Sequence, residues 1–283
     1  MQTLSEKQVI GLKQTAIKVR MSVLRMIRAG RLGHLGGAMS AVDIMTALYF
    51  QVMRIDPNNP TWRERDRFVL SAGHKCLALY AVLAEMGFYD KSLLDTYGSL
   101  GSRLPGHPNM YSLPGIETNT GALGHGLSIA GGMALGLHMG GISSKVYVIM
   151  GDGELAEGSN WEAAAAASHY ALSNLIVFVD RNSLQISGKT VDVMNYEPLD
   201  RRWQSFGWSV REINGHDIRQ IVETATSVPF EKGKPSVIIA NTIKSKGISF
   251  AEDKAEYHYW KATDEELKIA EEDIKKMEQE VLS

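Results

Sequence analysis

Cysteine is almost absent from this 283-residue chain: Cys76 stands alone, so no intramolecular disulfide can form and a reducing, cytoplasmic setting is expected. A charge excess is missing too. Thirty Lys and Arg face 32 Asp and Glu, leaving a formal charge of −2 and no basic face, so nucleic acid is not an expected partner. Charges or glycines interrupt every apolar run before the roughly 20 residues that a membrane span needs, which excludes spanning but leaves surface association open. The start, Met1-Gln2-Thr3-Leu4-Ser5-Glu6-Lys7, carries no apolar signal region. Repeats and low-complexity linkers are lacking as well, so a single domain over 1–283 is expected. What the chain has is apolar material: 44% of it is hydrophobic, enough for a substantial core.

The apolar residues are spaced for alternating elements. Ser5 and Gln8 stand in capping-box spacing, and Leu12, Ala16, Val19, Val23 and Met26 follow at helical intervals as far as Gly30. A second helix is expected from Ser40 to Met53, a buried strand over Arg67 to Leu70, and, after a glycine turn, a helix over Leu77 to Met86. From Tyr97 to Gly121 the chain is rich in Gly, Pro, Ser and Asn, which predicts a long functional loop. Gly126 to Met139 reads as an Ala/Gly-rich helix. Lys145 to Met150 and Leu175 to Val179 read as central parallel strands, with a helix through Trp161 to Tyr170 between them. Strands near Trp208 to Ile213 and Val237 to Ala240 flank a helix from Asp217 to Val228, and Gly215-His216-Asp217 is assigned to a turn and helix cap. Thr263 and Glu266 open a last helix, 263–282, whose stripe of Ala270, Ile274, Met277 and Val281 packs or lies at an interface. This alternation implies an α/β fold, a doubly wound, mainly parallel sheet with helices on both faces.

Gly151-Asp152-Gly153 ends one central strand, and Asp180-Arg181-Asn182 ends the next. Open parallel sheets bind ligands at the carboxyl ends of their strands. A hard cation such as Mg²⁺ takes oxygen ligands and shares itself between one or two protein carboxylates and phosphate groups. Asp152 can supply the charged oxygen and Asn182 the neutral one, while the glycines let backbone approach a diphosphate. The tripeptide alone is also a plain tight turn with a capping Asp. Paired with the distal Asn182, it resembles the signature of the thiamine diphosphate enzymes.

Three histidines lie in glycine-flanked turns ahead of that motif: Gly33-His34-Leu35-Gly36, Ser71-Ala72-Gly73-His74 and Gly106-His107-Pro108. With Thr120-Gly121-Ala122-Leu123-Gly124 and Gly151-Asp152-Gly153-Glu154-Leu155-Ala156-Glu157-Gly158, they resemble the N-terminal domain of the transketolase family from about residue 10 to residue 260. The resemblance implies a metal held by Asp152, Asn182 and the backbone carbonyl of Leu184. It implies cofactor contacts from His74, Gly121, Ala122, Leu123, Gly153, Glu157, Asn182, Ile186, Lys244 and His258. It implies catalytic roles for His34, His74, His107 and His258, since imidazoles titrating near neutrality can take or give the protons that move as a ketose is cleaved. Lys244-Ser245-Lys246-Gly247-Ile248 and His258 resemble the family's loop that brings a lysine and a further histidine to the active site; an exposed basic turn and a surface histidine are the plainer alternative. Glu157 and Glu162 match glutamates at the family's subunit interface, or are simply a helix N-terminal charge and a solvated carboxylate. Leu35 and His125 stand where many members have proline and glutamine.

Single-chain members of the family continue into a second domain, whose glutamate activates the aminopyrimidine, and into a third. This chain offers no local substitute for that glutamate. The resemblance is therefore to split transketolases, with thiamine diphosphate and Mg²⁺ between this chain and a partner, a two-fold heterotetramer as the assembly, and ketose and aldose sugars or their phosphates as substrates. A deoxyxylulose phosphate synthase-like or 2-oxo acid dehydrogenase-like subunit is one competing reading, and a non-catalytic module of the same fold is another.

Overall fold

A computed structural model describes residues 4–282. Met1, Gln2 and Thr3, which belong to the start read above as lacking a signal region, and Ser283, the last residue of the expected domain, lie outside the described residues. The Ser5–Gln8 capping box forms and opens α1 (Glu6–Gly30), which buries its whole expected stripe of Leu12, Ala16, Val19, Val23 and Met26. A two-residue strand, β1 (Leu32–Gly33), leads to α2 (Leu35–Ala47), every residue of which is buried. The expected start at Ser40 is thus corrected by five residues. Gly36 and Gly37 read as helix breakers, yet in place they let the side chains of Lys244 and Lys75 cross the helix: an added Cβ would meet their methylenes at 2.8 Å and 3.0 Å. The expected helix also ends differently, in a π turn over Leu48–Val52.

The stretch Leu35–Val52 bears on the expectation that nothing here spans a membrane. Its 18 residues and mean hydropathy of 1.2 would suit a membrane span, but 83% of it is buried inside the fold, as a core helix is.

The chain continues through β2 (Arg67–Leu70), α3 (Cys76–Met86), the irregular segment 97–125, α4 (Gly126–Met139), β3 (Val146–Gly151), α5 (Gly158–His169) and β4 (Leu175–Arg181). A small hairpin, β5 (Leu184–Gln185) and β6 (Gly188–Lys189), and two short helices, α6 (Thr190–Val193) and α7 (Leu199–Ser205), come next; the sequence pattern predicts none of these. Then follow β7 (Ser209–Asn214), α8 (Ile218–Thr226), β8 (Ser236–Asn241), β9 (Trp260–Lys261) and α9 (Asp264–Leu282). Asp217 caps α8 by accepting from the N–H groups of Arg219 and Gln220, and Thr263 and Glu266 form the expected box at α9.

Five strands form one sheet in the order β2-β3-β4-β8-β7, all parallel. Alternation along β3 sends Tyr147 and Ile149 to a core shared with α1, α2, α3, α8 and α9, and Val146, Val148 and Met150 to a core shared with α4, α5 and α7. Helices on both faces therefore bury the sheet, and the strand ends become the place where a ligand can enter. The apolar stripe of α9 packs on α1 through Leu267, Ala270 and Ile274.

Candidate active site

Four neighbouring strands deliver chemistry at their carboxyl ends. His74 and Lys75 follow β2, Asp152 follows β3, Asn182 follows β4, and Lys244 follows β8. In-register pairing of Gly151 with Asp180 puts the turns after β3 and β4 side by side. There the Ser183 N–H donates to Asp152 Oδ2 at 2.6 Å, so the Asp152 carboxylate reaches into the Asn182 turn.

These residues line one cavity of about 430 Å³. His34, His74, His107, Gly121, Leu123, Asp152, Gly153, Glu157, Asn182, Leu184, Ile186, Lys244 and His258 all contribute to its wall, so nearly every residue singled out from the sequence converges on it. Ala122 does not: it is exposed and stands outside the lining. Glu157 is exposed at the cavity edge, and Glu162 is exposed on α5, away from it. Lys244 and Ser245 are buried, which removes the alternative of an exposed basic turn.

The histidines form a cluster around His34, which precedes α2. Its ring lies 5.4 Å from His74, 5.8 Å from His107 and 5.5 Å from His258, centre to centre, with Tyr259 edge-on at 4.8 Å. Burial, followed by the charges of His107 and Lys244, holds His34 down near pKa 4. Burial and then the Lys244 ammonium hold His258 near 3, and burial and the adjoining Lys75 push His74 well below the usual imidazole range. His34, His74 and His258 are therefore neutral proton acceptors at neutral pH. Lys244 is lowered to about 8 by burial and by Lys75; its Nζ donates to the Leu184 carbonyl at 3.1 Å and to His258 Nδ1 at 3.2 Å. A lysine only donates, so neutral His258 keeps its proton on Nε2.

The cavity floor suits a hard cation. Asp152 is buried, and burial together with the charge of Asp180 raises its pKa to about 6, outweighing the lowering by Lys75 and by the Ser183 and Gly153 N–H groups. Asn182 offers an amide oxygen, which accepts from the Leu184 N–H at 3.2 Å, and Leu184 a carbonyl oxygen. A carboxylate, an amide and a carbonyl make an oxygen set of the kind Mg²⁺ takes; no group of three or more His, Cys, Asp or Glu that could hold a metal ion occurs among the described residues.

Some residues that build the cavity carry no role in the sequence reading. Glu154 lies inside the quoted motif, but its buried carboxylate proves to be a joint: it accepts from Ser71 Oγ at 2.6 Å, from Gly124 N–H at 3.0 Å and from Gly151 N–H at 3.2 Å. Gly124, at φ +81°, leaves room for the Glu157 and Ser159 side chains, which an added Cβ would meet at 2.5 Å and 2.7 Å. His216 is more than a cap neighbour. Its Nδ1 contacts Asp43 at 2.7 Å and its Nε2 accepts the Ile243 N–H at 2.8 Å, bracing the residue before Lys244. Lys75 and Asp180 form a buried pair beneath the histidines, with partners 105 positions apart and no local pattern to join them.

Fold and cavity together define an α/β domain with a polar cavity at the ends of its parallel strands, lined by the oxygen atoms of Asp152, Asn182 and Leu184 and by a cluster of imidazoles. Comparison with known proteins then gives the family. The family described as transketolase, thiamine diphosphate binding domain, matches residues 12–279, and the chain belongs to it. The chain is 44% identical over 277 residues to one of the subunits of the apulose-4-phosphate transketolase of Phocaeicola vulgatus, covering 96% of this chain and 98% of that one. It is 45% identical over 273 residues to the 6-deoxy-6-sulfo-D-fructose transketolase subunit SqwG of a Clostridium species, covering 96% and 99%. Among solved structures, transketolase from Campylobacter jejuni superposes with a TM-score of 0.86 at 34% identity over 93% of this chain. The chain spans only 42% of that protein, and 40% of human transketolase, to which it is 37% identical.

Proposed function

We propose that this chain is the diphosphate-binding subunit of a split transketolase, which moves a two-carbon ketol unit from a ketose or its phosphate to an aldose or its phosphate. Thiamine diphosphate supplies a nucleophilic thiazolium carbon on which a ketose carbon–carbon bond can break. Asp152, Asn182 and the Leu184 carbonyl would hold Mg²⁺ against the diphosphate, and His74, Gly121, Leu123, Gly153, Ile186, Lys244 and His258 would contact the cofactor. The observation that carries the reading is the cluster of His34, His74, His107 and His258 around one point beside the oxygen set of Asp152 and Asn182. A neutral imidazole there can take the proton of a sugar hydroxyl and return it to the aldehyde oxygen of the departing fragment. Water is limited by the same burial that lowers the imidazole pKa values.

The partner would supply the pyrimidine-activating carboxylate, for which no local motif here substitutes. Ile186, an exposed apolar residue of the cavity wall, supports a covering chain, and a two-fold heterotetramer is the assembly we propose. The names of the two relatives favour a ketose with an anionic tail, phosphorylated or sulfonated. With its lone thiol, Cys76, free and buried, we place the enzyme in the cytoplasm.

Co-purifying the chain with the product of an adjacent gene and assaying ketol transfer with thiamine diphosphate and Mg²⁺ tests this. Activity is expected only from the pair, and His34→Ala or His107→Ala should lower it by about 10²-fold or more. Full activity from the chain alone would refute the split arrangement. Pyruvate turnover by the pair would favour the synthase-like or dehydrogenase-like reading, and unchanged transfer in both histidine variants would favour a non-catalytic module.

A further inference from the structure

Lys75 begins where helix α3 meets the His74 turn, and its side chain runs inward under α2. An added Cβ on Gly37 would meet Lys75 Cγ at 3.0 Å and Cε at 3.1 Å, with His74 Nε2 at 3.4 Å, so the methylenes pass directly beneath that glycine and beside the His74 ring. The nitrogen ends under the last residue of β3, 3.6 Å from where a Gly151 Cβ would stand, one residue before Asp152. The side chain is 2% exposed and forms part of the cavity wall.

An ammonium placed so deep requires compensation. Asp180, fully buried, provides one acceptor, its Oδ2. That carboxylate has other donors: Ser40 Oγ also reaches Oδ2, at 2.6 Å, and Thr242 Oγ1 reaches Oδ1. Lys75 is less well served than its partner. Of its three N–H groups one is used, and among the described residues Nζ makes no other hydrogen bond. Lys244, the second buried lysine of the cavity, differs, because its Nζ already serves the Leu184 carbonyl and His258. The cavity thus holds a fixed positive charge with free donor capacity, orientated by a fully buried carboxylate and adjoining the strand end that carries Asp152.

We infer that Lys75 is an anion-binding residue of this cavity, donating to an oxygen of the diphosphate, with Asp180 as the residue that positions it. The inference rests on the diphosphate-site reading above and adds to it a ligand contact that none of the sequence motifs contains. The alternative role, a counter-charge that merely keeps Asp180 in the fold, makes a different prediction about what happens when both charges leave together.

The experiment is calorimetric titration of inorganic pyrophosphate with Mg²⁺, and separately of thiamine diphosphate with Mg²⁺, into the full chain co-purified with its partner and into three variants prepared in the same way. Lys75→Gln keeps a donor for Asp180 but removes the charge, and Lys75→Met with Asp180→Asn removes both charges, so the charge is deleted by two routes should one variant fold poorly. Asp180→Asn alone keeps the ammonium. Pyrophosphate binding is expected to weaken about ten-fold or more in Lys75→Gln and in the double variant, with a shallower dependence on salt, and to stay within about three-fold of wild type in Asp180→Asn. Wild-type affinity in both charge-deleted variants, or an equal loss in Asp180→Asn alone, would overturn the role of Lys75 while leaving the diphosphate site standing. If the wild-type chain assembled with its partner binds neither pyrophosphate nor thiamine diphosphate, the site reading fails and the role of Lys75 fails with it.

Discussion

Two buried ion pairs meet helix α2 and are satisfied differently. Arg20 and Asp43 meet in a two-pronged contact of 2.9 Å and 2.7 Å, and each has a further partner, as Arg20 Nε donates to the Lys246 carbonyl and His216 Nδ1 reaches the same Asp43, so that every nitrogen of the guanidinium is engaged. Burial pushes the Asp43 carboxyl upward, but the Arg20 guanidinium outweighs it and holds the group far below the usual carboxylate range. Lys75 and Asp180 are equally deep, yet the pair is unevenly satisfied, with the carboxylate crowded by donors and the ammonium left with two unused. A closed pair, with a partner for each nitrogen and no place in the cavity wall, joins elements together; a pair whose ammonium has a single partner and lines a cavity can hold a ligand. Depth alone does not separate the two cases, whereas the partners of each nitrogen and its place in the cavity wall do.

The sharpest way to break this contrast is to open the closed pair. Asp43→Ala leaves the Arg20 guanidinium buried without its counter-charge and should lower stability by about 3–5 kcal/mol, read by urea unfolding. Replacing both partners with apolar residues of similar size should recover most of that loss; if the double variant is as unstable as the single one, the pair is not the joint described here. A somewhat smaller effect is expected at Asp152, whose folded pKa of about 6 lies above its ordinary 3.8. The folded protein then holds this proton more tightly than the unfolded chain does, so stability is lost as pH rises from about 4 through 6. Compared with Asp152→Asn, which does not titrate, the ligand-free wild type should be about equally stable near pH 4 and less stable by about 3 kcal/mol at pH 7. Mg²⁺ with pyrophosphate should reverse the difference. Thermal melts across that range that show parallel curves for the two proteins would argue against a carboxyl group that burial holds above its ordinary pKa.

Legibility in the sequence follows the same division. Elements whose signal is local can be read: the capping boxes at Ser5 and Thr263, the stripe of α1, and the glycine-ended strand before Asp152 all form as the residues dictate. The convergence of Asp152 with the Asn182 turn can also be anticipated, because adjacent strands of a parallel sheet bring their ends together. Lys75 cannot. In sequence it is one charge at the head of an apolar helix, and its meaning depends on Asp180, 105 positions away, and on Gly37 being bare enough to let it pass. The early start of α2 escapes the pattern for a related reason, since glycines that locally disfavour a helix are kept where two lysine side chains cross it. His216 reads as a turn residue because its partners, Asp43 and Ile243, come from other parts of the chain.

The finest test of the contrast uses a pair with the same two-pronged geometry and different surroundings. Arg25 Nε and NH2 meet Asp95 Oδ1 and Oδ2 at 2.6 Å each, much as Arg20 meets Asp43, but the side chains are 40% and 57% exposed against 2% and 10%. Water competes for both partners at the surface, salt screens what attraction remains, and holding two long side chains in one pose costs entropy. Asp95→Ala should therefore change stability by less than about 1 kcal/mol, and raising the ionic strength should shrink that change, whereas the loss at Asp43 should be nearly insensitive to salt. Comparable losses at the two sites would mean that pairing geometry, and not desolvation, sets the cost of breaking these contacts. Burial would then give no ground for setting Lys75 apart from an ordinary counter-charge.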